Sequence, residues 1–171
     1  MDSTVAARSA CEVRIERWSG RAFFVVPCPF RVDLPLDMSG CIAAALRDTM
    51  ASGHRRSPGG SILASDARCG GAIFVEVEPK SDDDPRVSWI EGDVLARALP
   101  LRPAALRGEV EELMRWSNEL GHEVSSFYVG FAPGHTPRSF HPARLFAALD
   151  GGAVVEHFEV RSTRRYVARV A

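Results

Sequence analysis

Lysine is almost missing from this sequence: Lys80 is the only one among 171 residues, and the other basic residues are arginines. It lies in the polar stretch "PKSDDDP". That setting suits neither a Schiff-base lysine nor the lysine of a phosphate-binding loop. The scarcity therefore argues against two common kinds of enzyme site.

Long apolar runs and an excess of one charge are also missing. No segment approaches the roughly 20 apolar residues of a membrane-spanning helix. The first residues lack the basic and apolar regions of a secretory signal. The net charge of −1 gives no electrostatic basis for binding nucleic acid. We therefore predict a cytoplasmic protein that binds neither nucleic acid nor a membrane.

The spacings typical of metal and cofactor sites do not occur. The four cysteines, Cys11, Cys28, Cys41 and Cys69, form no C-x-x-C pair, and reduced thiols are expected in the cytosol. The histidines form no H-E-x-x-H motif, and the glycine pairs match no nucleotide-binding loop. We therefore expect no metal and no cofactor.

The composition is that of a globular chain. Hydrophobic residues make up 46% and charged residues 25% of the sequence, which is enough to bury a sizeable core. The length suits one domain better than two. We predict a single domain over residues 1–171, with residues 1–10 as a flexible N-terminal segment.

Alternating and β-branched segments predict strands. The first two flank Ser19-Gly20, a spacing that favours a hairpin. A second hairpin is predicted at the end of the sequence. The predicted strands cover residues 11–18, 21–27, 72–79, 86–92, 123–133, 153–161 and 164–170.

Helical spacing predicts three helices. The first runs from about residue 41 to 52, with Ser39 as its N-cap and Gly53 as its stop. The second runs over 103–120 and ends at Gly121, and a short third helix is predicted at "HPARLFAAL". Residues 93–101 are interpreted as helical turns and 54–69 as a loop.

Together these elements predict an α+β fold: a two-layer domain in which helices cover one face of a mainly antiparallel sheet.

Cys41 is the leading candidate for a catalytic residue. In "LDMSGCIAAAL" it lies where the first helix begins, and the free N–H groups at a helix start favour a thiolate. This placement resembles that of the nucleophile in papain-like and cell-wall amidase-like enzymes. The resemblance implies a histidine base on a following strand. His122 fits that role by pattern, with His135 or His141 as an orienting residue. The alternative is a packed thiol without chemistry.

A pair of carboxylates is a weaker candidate. Glu76 and Glu78 share one face of a predicted strand, which is an arrangement that some hydrolases use for acid and base. A solvent-facing strand has the same appearance.

Two functions remain open at this point. The first is a non-enzymatic binding protein of accessory, adaptor or immunity type, with another protein or a second copy of the chain as its partner. The second is a thiol hydrolase of amidase or deamidase type, in which Cys41 attacks, His122 is the base and His135 orients it. Since no complete catalytic signature is present, we favour the first.

Overall fold

The computed structural model describes residues 13–28, 38–65, 71–80, 83–99, 106–136 and 138–150. These residues form seven strands and two helices. In chain order the elements are β1 (Val13–Pro27), α1 (Ser39–Ala51), β2 (Arg55–Arg56), β3 (Ile62–Ser65), β4 (Ala72–Glu78), β5 (Val87–Ala98), α2 (Leu106–Glu119), β6 (Glu123–Pro133) and β7 (Phe140–Asp150).

Six of the strands close into an antiparallel barrel. Around the barrel they follow the order β1, β5, β7, β6, β3, β4, and β4 pairs with β1 again. The closing ladder places Phe24 opposite Val75. The short strand β2 extends the ladder along the end of β4. The predicted two-layer α+β fold is therefore wrong, because the sheet closes on itself.

Both faces of most barrel strands are largely buried, although the first half of β1 is mainly exposed. Alternate residues of each strand point into the barrel, and the residues between them pack outside against α1 and α2. A strand buried on both faces reads as a continuous apolar run instead of an alternating one. This is why the sequence concealed a closed barrel. The inward residues are Trp18, Phe23, Val25, Leu63, Ala72, Phe74, Ile90, Val94, Ala96, Tyr128, Phe146 and Ala148.

Aromatic side chains fill the interior of the barrel. The rings of Trp18 and Phe146 lie 5.0 Å apart, and those of Phe74 and Tyr128 lie 5.6 Å apart, both edge to face. A barrel of eight strands is only just wide enough to be filled by its side chains, and six strands leave less room. A ligand must therefore bind on the outside of the barrel.

The first predicted hairpin is a single long strand. β1 continues through Ser19-Gly20, where the register with β5 shifts between Trp18 and Arg21. Gly20 has a φ of 60°, the left-handed conformation that a bulge requires. The Ser-Gly pair therefore makes a β-bulge in β1 instead of a turn between two strands.

Three further assignments are corrected. The predicted helix over 141–149 is strand β7, in which Leu145 packs outward and Phe146 inward. The predicted helical turns after residue 92 belong to β5, and the predicted loop over 54–69 contains β2 and β3. In each case pairing with a distant strand overrides local propensity.

The two long helices are confirmed, and both end in the same way. Gly53 and Gly121 each have a φ of 79°, and each donates its N–H to a carbonyl three residues earlier. The next residues, His54 and His122, donate theirs to carbonyls five residues earlier, which completes a Schellman motif. The predicted N-cap is wrong: Ser39 is the first residue of α1, and Met38 takes the cap position.

Several predictions fall outside the described residues: the N-terminal segment over 1–10, the start of the second helix at Pro103, and the hairpin over 153–170. Neither helix in the described part of the chain is long and apolar enough to cross a membrane.

Candidate functional site

Cys41 lies on the surface in the first turn of α1. The helix begins two residues earlier, and its inward face buries Ile42, Ala45 and Thr49. The packing of these three side chains directs Cys41 outward. The thiol is therefore accessible, as a nucleophile would be.

A second cysteine, Cys28, lies close enough for Cys41 to affect its pKa. The half-buried Cys28 follows the last residue of β1, and its backbone N–H donates to the carbonyl of Gly71 at 2.8 Å. Burial raises the pKa of Cys28 to about 12, and the adjacent Cys41 contributes to the increase. Nothing in the sequence indicates that these two cysteines lie near each other.

His122 is held by the end of α2. Its backbone N–H donates to the carbonyl of Ser117 at 3.0 Å, and its own carbonyl accepts the Ser117 hydroxyl at 2.9 Å. Nδ1 of its ring is buried and has no hydrogen-bond partner among the described residues. The backbone of His122 therefore completes the helix end, while one nitrogen of its ring is buried and makes no hydrogen bond within the described part of the chain.

His135 lies at the other end of β6. It is exposed in the turn between β6 and β7, whereas His122 immediately precedes Glu123, the first residue of β6. A strand of 11 residues separates the two histidines, which corresponds to roughly 35 Å. At most one of them can therefore lie beside Cys41. The structure does not bring the three predicted residues into one triad.

The start of α1 is attached to the β6–β7 hairpin. The hydroxyl of Ser39 accepts the backbone N–H of Phe140 at 3.1 Å. Phe140 is the first residue of β7 and is followed by the half-buried His141. This contact attaches the beginning of α1 to the end of the hairpin that carries His135 and His141. His122 lies at the opposite end of β6.

A surface groove lies between the end of β1 and the last turns of α1. Its volume is about 430 Å³. Its lining is mixed: β1 and Ala51 contribute apolar groups, whereas Asp48, Ser52 and Arg86 contribute polar and charged ones. The residues that line this groove are Phe24, Val25, Val26, Pro27, Asp48, Ala51, Ser52 and Arg86.

A buried histidine supports this groove from below. The ring of His54 packs 5.4 Å from that of Phe24, and its side chain is 2% exposed. Its Nδ1 accepts the backbone N–H of Lys80 at 3.0 Å, and its Nε2 donates to Asp84 at 2.8 Å. Because both ring nitrogens are bonded, His54 has no free nitrogen for proton transfer. Its role is to join α1 to the turn between β4 and β5.

The same carboxylate also holds Arg86. The Arg86 guanidinium donates to both oxygens of Asp84, at 3.1 and 3.0 Å, and stacks 4.9 Å from the Phe24 ring. Hydrogen bonds from Arg86 lower the pKa of Asp84 well below its usual range, and the bond from His54 contributes. The Arg86 end of the groove is therefore rigid and charged.

The predicted carboxylate pair is engaged elsewhere. Glu76 receives two hydrogen bonds from Arg21, at 2.9 and 2.6 Å, and one from the backbone of Ser61. Burial raises the pKa of Glu76, but these hydrogen bonds outweigh it and the net shift is downward. Arg21 in turn stacks over Trp18 at the mouth of the barrel. These contacts close the barrel mouth and hold Glu76 ionised, whereas an acid catalyst would need a proton.

Among the described residues, no group of three or more His, Cys, Asp or Glu side chains could hold a metal ion. No protein-family model, curated protein or solved structure matched the chain. Function is therefore inferred from the groove and from the exposed thiol of Cys41.

Proposed function

We propose that this protein is a non-enzymatic binding protein that takes up a short apolar segment of a partner protein in the groove between β1 and α1. The single observation behind the proposal is the groove itself. It combines apolar groups of β1 and α1 with the polar side chains of Asp48, Ser52 and Arg86, and such polar groups can fix the orientation of a bound segment. We place this activity in the cytoplasm.

The rigidity of the groove supports a binding role. One wall is a barrel strand paired on both sides, and the floor rests on the His54–Asp84–Arg86 cluster. A preformed site avoids the entropic cost of ordering a loop on binding.

The charges at the rim suggest how the segment would be oriented. Half of the Arg86 side chain is exposed at the groove. Its hydrogen bonds to Asp84 raise the pKa of Arg86, and the nearby charge of Asp48 adds to the increase. A segment with an apolar side chain and a flanking polar or charged residue would match both features. Its apolar side chain would lie between Val26 and Ala51.

The test uses a displayed library of random peptides selected on the full chain. We expect enrichment of peptides with apolar residues, and at least a tenfold loss of their binding to Ala51→Trp, which fills the groove. The matched control is Glu111→Trp, an exposed position on α2, which should change binding less than twofold. Enriched peptides that bind Ala51→Trp as well as the unaltered protein would contradict the proposal.

A thiol hydrolase remains the second candidate, because Cys41 is exposed at a helix start that is bonded to the hairpin carrying His135. Its test is release of p-nitrophenol from p-nitrophenyl acetate, with mass spectrometry of the acylated protein. Turnover that disappears in Cys41→Ser and in His135→Ala, while His122→Ala keeps it, would favour the enzyme. A single acylation of Cys41 without turnover would favour the binding protein.

A further inference from the structure

We infer that residues 13–17, in the first half of β1, dock against the same residues of a second copy of the chain, so that the sheets of two barrels join edge to edge. We call these five residues the docking edge. The groove lies at the other end of β1, so the inference does not depend on the groove binding a partner. It rests on a strand edge that is unpaired within the described part of the chain, and on the side chains along that edge.

β1 is paired on both sides only along its second half. Its ladder with β5 runs from Val13 to Phe24, interrupted by the bulge, whereas its ladder with β4 covers only Phe23 to Pro27. Among the described residues, the docking edge therefore has a strand on one side only. Backbone N–H and C=O groups on its other side are free to pair with another strand.

The docking edge lacks two common protections against such pairing. Natural proteins often block an exposed strand edge with lysine or proline, and residues 13–17 contain neither. At their centre lies Ile15, a β-branched residue that is 53% exposed. The charges beside it are of opposite sign, with Arg14 before it and Glu16 after it. This pattern favours a neighbouring strand with matching charges.

Symmetry leaves few ways for the edge to pair with its own copy. In an antiparallel pair of identical strands, a two-fold axis places one residue opposite itself. An axis at Arg14, Glu16 or Arg17 places like charges directly opposite each other, which is destabilising. An axis at Val13 leaves the other four residues of the edge unmatched. An axis at Ile15 places Ile15 against its copy and each Arg14 opposite a Glu16, so this register alone satisfies the charges.

Both faces of the edge are complementary in this register. Arg14 and Glu16 share one face, where they form an ion pair of 2.8 Å within the chain. The Arg14 side chain is 60% exposed, so its remaining donors can reach the copy's carboxylate. On the other face Ile15 buries its exposed surface against its copy, and Val13 lies opposite Arg17, whose aliphatic stem can cover it. The contacts occur twice, as in a symmetric dimer.

The first experiment is sedimentation equilibrium of the full chain. Because the docking edge is short, we expect a weak dimer with a dissociation constant of roughly 10–100 µM. Ile15→Arg should weaken association at least about tenfold, since it places like charges on the axis and removes the apolar contact. The matched control is Leu120→Arg, an apolar residue after α2 that is 49% exposed. It should change the dissociation constant less than about twofold.

The second experiment exchanges the charges. Arg14→Glu alone and Glu16→Arg alone each place like charges opposite each other in a homodimer, and each should weaken association roughly tenfold. A mixture of the two variants restores both opposite-charge pairs, so heterodimers should form with about the original affinity. Glu16 also accepts hydrogen bonds from Trp18 and Arg144, so circular dichroism checks the fold of Glu16→Arg. The exposed Ile15 and Arg14 keep the test valid if that variant does not fold.

Hydrogen exchange locates the contact. Backbone amides of the docking edge that point away from β5 should exchange more slowly as the protein concentration rises. Three outcomes would overturn the inference. The first is a monomer at concentrations up to roughly 1 mM, well above the range of weak dimers. The second is a dimer that Ile15→Arg leaves unchanged. The third is protection of the edge that does not depend on concentration, since the edge would then be paired within one chain.

Discussion

The two helices end in the same local structure but differ in the surroundings of the histidine side chain that comes next. At the end of α1, the His54 ring is buried with both nitrogens bonded, to Lys80 and to Asp84. At the end of α2, the His122 ring keeps a buried Nδ1 with no partner among the described residues. The Gly-His dipeptide thus defines the backbone at both places. The partners available around each ring decide whether the histidine side chain stabilises the fold.

The largest expected effect comes from replacing the two histidines by alanine. His54→Ala should lower the free energy of unfolding by about 3 kcal/mol, because it leaves a cavity beside Phe24 and removes two buried hydrogen bonds. His122→Ala should lower it by about 1 kcal/mol or less, since its ring has little bonding to lose. Urea denaturation of both variants measures the difference, and equal losses would contradict the comparison.

The second-largest effect is expected at Asp84, whose carboxylate forms a hydrogen bond with His54. Asp84→Asn should cost about 2 kcal/mol at pH 7, because it weakens charge-assisted hydrogen bonds. The pKa of Asp84 is lowered in the folded protein, so its stabilisation is complete above the unfolded value of about 3.9. It is lost as the pH falls below that value toward the folded pKa.

The cost of Asp84→Asn should therefore shrink by about 1 kcal/mol between pH 7 and pH 3. Denaturant titrations at several pH values measure this change. The matched control is Asp93→Asn, whose partner Arg17 is exposed and lies 3.4 Å away. The control should show only a small cost at pH 7, because an ion pair with an exposed arginine contributes little to stability. A cost for Asp84→Asn that did not change with pH would argue against an ionised, stabilising Asp84.

The third-largest effect is expected from replacing the glycine that ends each helix. It should be nearly equal for α1 and α2. Gly53→Ala and Gly121→Ala each force a side chain into the left-handed region, at a cost of about 1–2 kcal/mol. A Cβ at Gly121 would meet no described atom within 4 Å, and one at Gly53 would meet the flexible Lys80 side chain at 3.3 Å. Asparagine at either position should recover part of the loss, as measured by thermal melting. A difference of several kcal/mol between the two alanine variants would show that the two ends are not equivalent in backbone.

The smallest effect is expected for His122→Leu. Replacing a ring that has a buried, unbonded nitrogen by an apolar group of similar size should leave the free energy of unfolding within about 0.5 kcal/mol of the original, or raise it slightly. The same change at His54 should be strongly destabilising. Marked destabilisation by His122→Leu would mean that the His122 ring has a partner in the remainder of the chain.

The sequence was most informative where local chemistry decides the structure. Gly53 and Gly121 predicted both helix ends, because a left-handed residue is a local requirement. Strand β4 was likewise predicted from its own β-branched residues. The prediction failed for β7, whose Pro142 and alanines read as helical although the strand pairs with β5 and β6. No local pattern records those partners.

The candidate site, too, could be predicted from the sequence only in part. The position of Cys41 at a helix start followed from the pattern around it, but its neighbour Cys28 could not be inferred. The two are separated by 12 residues in sequence, and nothing in their spacing distinguishes this pair from the other cysteines. Only the course of β1 and α1 over the barrel brings them together. Catalysis by Cys41 remains a prediction.

The order of strands around the barrel also bears on how the chain is made. The strands up to residue 98 can form an open sheet in the order β5, β1, β4, β3, and the β6–β7 hairpin then inserts between its two outer strands. On the ribosome, the facing edges of β3 and β5 stay unpaired until that hairpin emerges. During this interval the nascent chain exposes two strand edges that can pair with other chains. Slow synthesis of the later half would therefore favour aggregation and recruitment of chaperones.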